Sequence, residues 1–230
     1  MEGFKFNGKH SSEFKLRLID RQADPPLEKK IIEDIPFMQG HLDFSDVLGQ
    51  RVFNNRPLMF DMLIVNYSYE KRKTIEKSLT NWLMKPSYVH LYDDFSPGYY
   101  YLAKCESINY VDRYEGMTAV ITFEAYPFMK SELLEGNDIW DEFNFELDVA
   151  QETNFTVNGT ENIKLINPGS NVIIPKIRAS SDFEVVKDNQ TFIIPEGTSE
   201  SSEFILNIGE NDLTILGNGE IEFQFYKELL

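Results

Sequence analysis

The stretch Arg56-Pro57-Leu58-Met59-Phe60-Asp61-Met62-Leu63-Ile64-Val65 decides the fold. Leu58, Phe60, Met62 and Ile64 form one alternating set and Met59, Leu63 and Val65 the other, with only Asp61 interrupting. A strand that faces water on one side alternates apolar with polar residues, so this one predicts cover on both faces. The next segment supplies one cover. Ile75, Leu79, Trp82 and Leu83 fall at i, i+4, i+7 and i+8, which makes a single apolar stripe on an α-helix over about residues 71–85. Lys71, Arg72, Lys73, Glu76 and Lys77 point away from that stripe, and Pro86 stops the helix. From Gly40 to Pro86 the chain thus reads as turn, strand, connection and helix, and nearly everything else reads as strand.

On the N-terminal side, Phe4-Lys5-Phe6-Asn7 followed by Gly8 predicts a short strand and a turn. Phe14, Leu16 and Leu18 alternating with Lys15 and Arg17 predict a second strand, both being hairpin elements. Arg21 to Glu33 contains two prolines and many charges and reads as a loop, or an arm ordered against a neighbouring subunit. Ile31, Ile32, Ile35 and Phe37 lead from it into Gly40. On the C-terminal side, 88–92 is a short strand and Asp93-Asp94-Phe95-Ser96-Pro97-Gly98 a turn. Residues 99–111 and 117–128 form a hairpin around a loop at 112–116.

Residues 131–152 are acidic, with Gly136 and Asn137 in the middle and Ile139, Trp140, Phe143, Phe145 and Leu147 apolar, and read as a docked linker. From Thr153 onward, short strands recur at 155–157, 163–166, 172–179, 183–187, 191–194, 204–208, 214–216 and 221–226. Asn-Gly, Asn-Pro-Gly, Asp-Asn and Gly-Asn-Gly segments supply the turns. This spacing predicts a small β-sandwich or jelly roll.

Charge divides the chain at the same place. Residues 1–130 carry 17 Lys+Arg against 18 Asp+Glu, whereas residues 131–230 carry 5 against 20. A near-neutral first part associates with itself at little electrostatic cost, while an acidic second part stays solvent-facing and is unsuited to nucleic acid. Cys105 is the only cysteine, so no intrachain disulfide framework exists. The N-terminal residues lack the apolar core of a signal peptide and no stretch is long enough to span a bilayer, which implies synthesis and folding in a cytosol without membrane insertion.

Chemistry finds few footholds. His10, His41 and His90 are far apart with no metal-ligand spacing, and none forms a motif with Cys105, which shares a strand face with Ala103 and reads as a small buried side chain. Asp93 and Asp94 are a turn before they are paired carboxylates. Gly217-Asn218-Gly219, between Leu216 and Ile221, reads as a hairpin turn rather than a phosphate loop. Phe155, Phe183, Phe192, Phe204, Phe223 and Phe225 sit in strand runs and read as core instead of a sugar platform, which leaves Tyr99, Tyr100 and Tyr101 as the exposed-aromatic candidates. No catalytic, cofactor-binding or metal-binding residue is assigned, and no enzyme activity is expected.

The opening Gly3-Phe4-Lys5-Phe6-Asn7-Gly8-Lys9-His10-Ser11-Ser12 resembles that of distal tail proteins of long-tailed phages of Gram-positive bacteria. Three later stretches agree in order and spacing: Ile35-Pro36-Phe37-Met38-Gln39-Gly40-His41-Leu42-Asp43-Phe44-Ser45, Asn55-Arg56-Pro57-Leu58-Met59-Phe60 before the helix, and Ile121-Thr122-Phe123-Glu124-Ala125-Tyr126-Pro127-Phe128. The resemblance covers about the first 130 residues, and the succession of motifs carries it.

The resemblance implies a non-enzymatic virion protein of a phage or prophage tail tip (baseplate), assembled in the bacterial host cytoplasm. Its N-terminal β-sandwich carries one helix and forms a homohexameric ring, and its C-terminal β-sandwich is galectin-like and here short. The implied partners are the tail tube protein, the tail-associated hub or lysin protein, and receptor-binding or side-fibre proteins. The resemblance assigns no ring-interface residues. The expected architecture is therefore mainly β, with a ring-forming domain at 1–130, a docked linker at 131–152 and an acidic sandwich at 153–230. A carbohydrate-binding adhesion module and a tail-tube subunit are the competing readings.

Overall fold

The computed structural model describes residues 2–45, 49, 51–65, 68–114, 116–137, 144 and 146–230. Two units divide the chain, Met1–Met129 with Leu230, and Lys130–Leu229, and the architecture is mainly β with one α-helix among the described residues.

The first unit contains β1 (Phe4–Phe6), β2 (Lys9–His10), β3 (Arg17–Gln22), β4 (Ile32–Glu33), β5 (Leu42–Asp43), β6 (Arg56–Val65), α1 (Tyr69–Leu83), β7 (Val89–Asp93), β8 (Tyr99–Arg113) and β9 (Gly116–Ala125). Seven of the strands make one sheet in the order β2-β1-β7-β8-β9-β6-β3, every pair antiparallel. Asn7 and Gly8 both take positive φ between the paired Phe6 and Lys9, the two-residue turn whose twist matches its strands. Phe4 lies 4.7 Å from Phe60 and 5.3 Å from Phe123. In a flat sheet β1 and β6, four strands apart, would be separated by about 19 Å. The sheet is therefore curled until its ends face one another, and this makes the sandwich out of a single sheet. Bulges at Cys105/Ser107 in β8 and Leu18/Asp20 in β3 sharpen the curl.

Helix α1 closes the core. Leu79, Trp82 and Leu83 are buried and Ile75 packs against them in part. The Trp82 ring stacks on Phe14 at 4.4 Å, and its indole N–H donates to the Phe6 carbonyl at 3.0 Å.

Three sequence expectations are corrected in this unit. Phe14 ends a 3-10 turn, Ser11–Phe14, followed by Lys15 in a left-handed conformation, so the second strand begins only at Arg17 and pairs with β6 instead of forming a hairpin with β1. Arg72 does not point away. It is buried, with its guanidinium donating to Asp112 Oδ1 at 2.8 Å and to the Arg113 carbonyl at 3.1 Å, a charge-assisted pair that offsets its burial. Finally, only one face of β6 is covered: Leu58, Phe60, Met62 and Ile64 are buried, while Met59, Asp61 and Leu63 on the other face remain partly exposed.

In the second unit, β10 (Met129–Ser131) enters across the boundary and is followed by β11 (Asn154–Asn167), β12 (Lys176–Ala179), β13 (Phe183–Lys187), β14 (Gln190–Ile194), β15 (Gly197–Ser199), β16 (Gly209–Gln224) and β17 (Glu228–Leu229). β11 and β16 pair over the whole of β11. The other edge of β16 is shared: residues 214–216 pair with β13 and residues 221–224 with β12. The ribbon thus passes from one layer to the next at Gly217-Asn218-Gly219.

That segment is mid-strand and not a hairpin turn, as is Asn158-Gly159 opposite it. The expected pairs 155–157/163–166 and 214–216/221–226 are each one continuous strand. Glycine permits the bend without breaking the ladder: Gly217 and Gly219 have φ of +149° and +134°, and a Cβ on Gly217 would lie 2.5 Å from the Phe183 ring. Residues 204–208 contribute only the Ile173/Leu206 bridge instead of a strand.

The linker residues Ile139, Trp140, Phe143 and Phe145 lie outside the described residues. Described residues on either side of them are held to the second unit. Lys227, buried, donates from Nζ to the Leu147 carbonyl at 3.2 Å and pairs with Asp148. The Gln151 amide exchanges hydrogen bonds with the backbone of Ile166, and Glu135 N–H donates to Phe225 O.

Gly217→Ala should destabilise the second unit by about 2–3 kcal/mol, because the methyl overlaps Phe183 and the backbone is strained for any other residue; urea unfolding followed by circular dichroism reads this out. Burial raises the Glu135 carboxyl above its ordinary value, against the opposing pull of Lys227. A raised folded-state value contributes stability below the unfolded value and loses it as pH rises through the folded one. The stability difference between Glu135→Gln and the native chain should therefore move in favour of Gln as pH rises from the acid side to neutrality.

Candidate assembly surface

The N-terminal motif is a structural lock. His10 caps the 3-10 turn: its Nδ1 accepts Ser12 N–H at 3.2 Å and its Nε2 lies 3.0 Å from Asp94 Oδ2. Asp94 also accepts Gly3 N–H at 2.8 Å, and Ser11 Oγ accepts Phe4 N–H at 3.3 Å. A Cβ on Gly3 would sit 2.2 Å from that Ser11 oxygen, which explains glycine there. Asp93 is buried against Arg21. Both carboxylates of the Asp93-Asp94 turn are thus committed to internal partners.

From this locked base the chain makes an excursion between β3 and β6. Its feet are fixed by Arg56, whose Nη2 donates to Ala23 O at 3.0 Å, and by Asn55, whose amide donates to Glu124 at 2.8 Å and Tyr88 at 3.1 Å. Arg56 is itself buried, with its guanidinium over the Tyr101 ring at 5.4 Å. Between the feet two limbs run together: Asn54 N–H donates to Leu27 O, Lys29 N–H to Val52 O and Phe44 N–H to Ile31 O. Arg51 pairs with Glu28, and β4 pairs with β5. The segment read as a loop up to Glu33 is the outgoing limb of this two-limbed arm.

The arm displays its apolar side chains instead of burying them. Leu27 is 78% exposed, Phe37 at the tip is fully exposed, and Ile31, Ile32, Ile35, Met38, Leu42, Phe44 and Val52 are exposed as well. Exposed apolar side chains gathered on one arm make it the candidate interaction surface. Sequence reading saw the apolar run 31–37 but not its exposure, since nothing in a single chain says which apolar residues lack a partner.

The chemical candidates are dispersed. His41 and His90 are exposed, and His90 lies 4.2 Å from the Tyr100 ring. Tyr101 is buried under Arg56, while Tyr99 and Tyr100 are partly covered, so the triple tyrosine is not an exposed platform. In the second unit Phe183, Phe204, Phe223 and Phe225 are buried core, with Phe155 and Phe192 packed against them. Cys105 is buried, and burial pushes its thiol up to about 11. No cluster of three or more His, Cys, Asp or Glu capable of holding a metal occurs among the described residues.

No family model matches the chain, and no curated protein matches it. Among solved structures, the crystal structure of the SPP1 Dit (gp 19.1) protein, called a paradigm of hub adsorption apparatus in Gram-positive infecting phages, matches over 100% of both chains with a TM-score of 0.71 at 10% identity. The phage p2 baseplate in its activated conformation, with Sr and with Ca, gives TM-scores of 0.39 and 0.38 at 10% and 11% identity, covering 96% and 94% of this chain and 92% of each of those; scores this low carry no argument. The likeness to SPP1 Dit shows that the chain has the fold of that protein throughout. It extends the resemblance from the first 130 residues to both units.

Cys105 should be inert to a neutral-pH thiol reagent in the folded protein and react fully once the chain is unfolded, because the thiolate is the reactive form and burial suppresses it. Ellman's reagent with and without guanidinium makes the comparison.

Proposed function

We propose that this chain is a non-enzymatic structural hub of a phage tail tip. The observation that carries the reading is the full-length fold shared with SPP1 Dit. The first unit forms a homo-oligomeric ring, a hexamer. The ring joins the tail tube to the tail-associated hub or lysin protein and carries receptor-binding proteins at its periphery. It is built in the host cytoplasm and resides in the virion.

Two surfaces of the first unit support self-association: the apolar arm, and the open face of β6 with Met59 and Leu63. An arm from each copy lying on the next copy makes a heterologous contact, which closes into a ring when the rotation allows. Each arm side chain buried this way contributes about 1.5–3 kcal/mol, so a few suffice to hold a subunit. The charge distribution fits the same arrangement, since the near-neutral first units can pack against one another at little electrostatic cost.

Light scattering with negative-stain images of the same peak tests the reading. A ring with a central opening is expected from the native chain. The double variant Leu27→Asp/Phe37→Asp should run as a monomer with an unchanged circular dichroism spectrum. A native chain that stays monomeric at every concentration, alone and with tail tube protein added, would overturn ring assembly.

A further inference from the structure

The second unit has a polar cleft that the hub reading does not use. Thr198, Arg178, Glu222 and Asn154 stand in register across β15, β12, β16 and β11, so their side chains make one row across four strands. The alternating neighbours Ile177, Ala179, Ile221 and Phe223 are buried, which places the row on the face turned away from the core. Ser180 and Glu220 flank it, with Ser180 Oγ accepting the Glu220 N–H at 2.8 Å and fixing that corner. Together they line a cleft of about 400 Å³, within the usual range for small-molecule sites.

Hydrogen-bonding capacity in this cleft is largely unspent. Arg178 and Glu222 form an ion pair at 3.7 Å, too long for a hydrogen bond, so their donors and acceptors stay open, and Arg178 is 61% exposed. The side chains of Asn154, Thr198 and Glu220 make no hydrogen bond to any described residue. The lining therefore offers a guanidinium that can only donate, two carboxylates that can only accept, and an amide and a hydroxyl that do both.

That mixture selects a ligand class. A phosphate or other anion would suit Arg178 but meet Glu220 and Glu222. A cationic side chain would suit the glutamates but offer Arg178 nothing to donate to, and would repel it. A neutral polyhydroxylated molecule satisfies both, because every hydroxyl is donor and acceptor and adjacent hydroxyls match the planar forks of Arg, Glu and Asn. We propose that this cleft binds a neutral saccharide, with Arg178 and Glu222 meeting neighbouring hydroxyls from adjacent strands and Asn154 and Thr198, at the two ends of the row, setting its orientation. Among the described residues no aromatic ring lines the cleft, so affinity for a single sugar is on the order of millimolar. The site is complete within one unit of one chain and does not depend on ring formation.

Saturation-transfer NMR on the full-length chain tests this, with glucose and N-acetylglucosamine as neutral probes, glucosamine as the cationic probe and glucose 6-phosphate as the anionic one. Saturation transfer to a neutral sugar is expected, weakened about tenfold by Arg178→Ala and by Glu222→Gln, the loss typical of one charge-assisted hydrogen bond. Thr198→Val, which keeps the side-chain volume, should weaken it less. Circular dichroism checks that each variant is folded. No transfer to either neutral sugar, transfer indifferent to both Arg178→Ala and Glu222→Gln, or tighter binding of glucose 6-phosphate or glucosamine would overturn the proposal.

Discussion

The closure of one sheet upon itself is the constraint on which the first unit depends. Phe4 and Phe6 stand on a strand of only three residues, yet they meet Phe60 and Phe123 from across the sheet and pack with Trp82. Such a short strand has few backbone bonds to hold it. Its position is set by buried aromatic area, by the indole bond to the Phe6 carbonyl, and by the Asp94 carboxylate that ties Gly3 and His10. Each fully buried aromatic contributes on the order of 1.5–3 kcal/mol. The helix is consequently less a separate layer than the bolt across a curled sheet, and Arg72 at its other end fixes its direction.

Much of this was legible in the sequence. The apolar face of Arg56–Val65, the stripe Leu79-Trp82-Leu83, the Asn7-Gly8 turn and the hairpin of β8 with β9 all follow from local periodicity and turn chemistry, and the structure has each of them. The misses share a cause. Arg72 reads as surface because its partner Asp112 is forty residues away. Phe14 alternates correctly for a strand, but His10 and Glu13 cap a tight turn there. Gly-Asn-Gly signals a reversal in most contexts, whereas here the two glycines lie on the inner face of a bent ribbon and make room for Phe183. In each case a long-range contact overrides a sound local preference.

The two units handle surface in opposite ways. The first leaves apolar side chains on its arm and a half-covered face on β6, and carries almost no net charge. The second packs its described phenylalanines into or against its core and concentrates the acidity, and the polar groups it buries, such as Lys227 and Asn167, have partners within the unit. The arm's exposure was unreadable because exposure is a property of the folded chain. The polar row on the second unit was unreadable for a different reason: Asn154, Arg178, Thr198 and Glu222 are scattered over nearly seventy positions and become neighbours only through strand register.

The β11–β16 ribbon has a kinetic consequence. Its ladder joins residues 154–167 to residues 209–224, and the strands that complete the two layers, β12 to β15, all lie in the intervening segment. The long loop must close before the ladder can begin to form, and neither layer is complete without it. Domains dominated by such distant pairings fold slowly, in milliseconds to seconds. On the ribosome this unit cannot complete its main ladder until the last strands have emerged, by which time the first unit's chain is already available to fold.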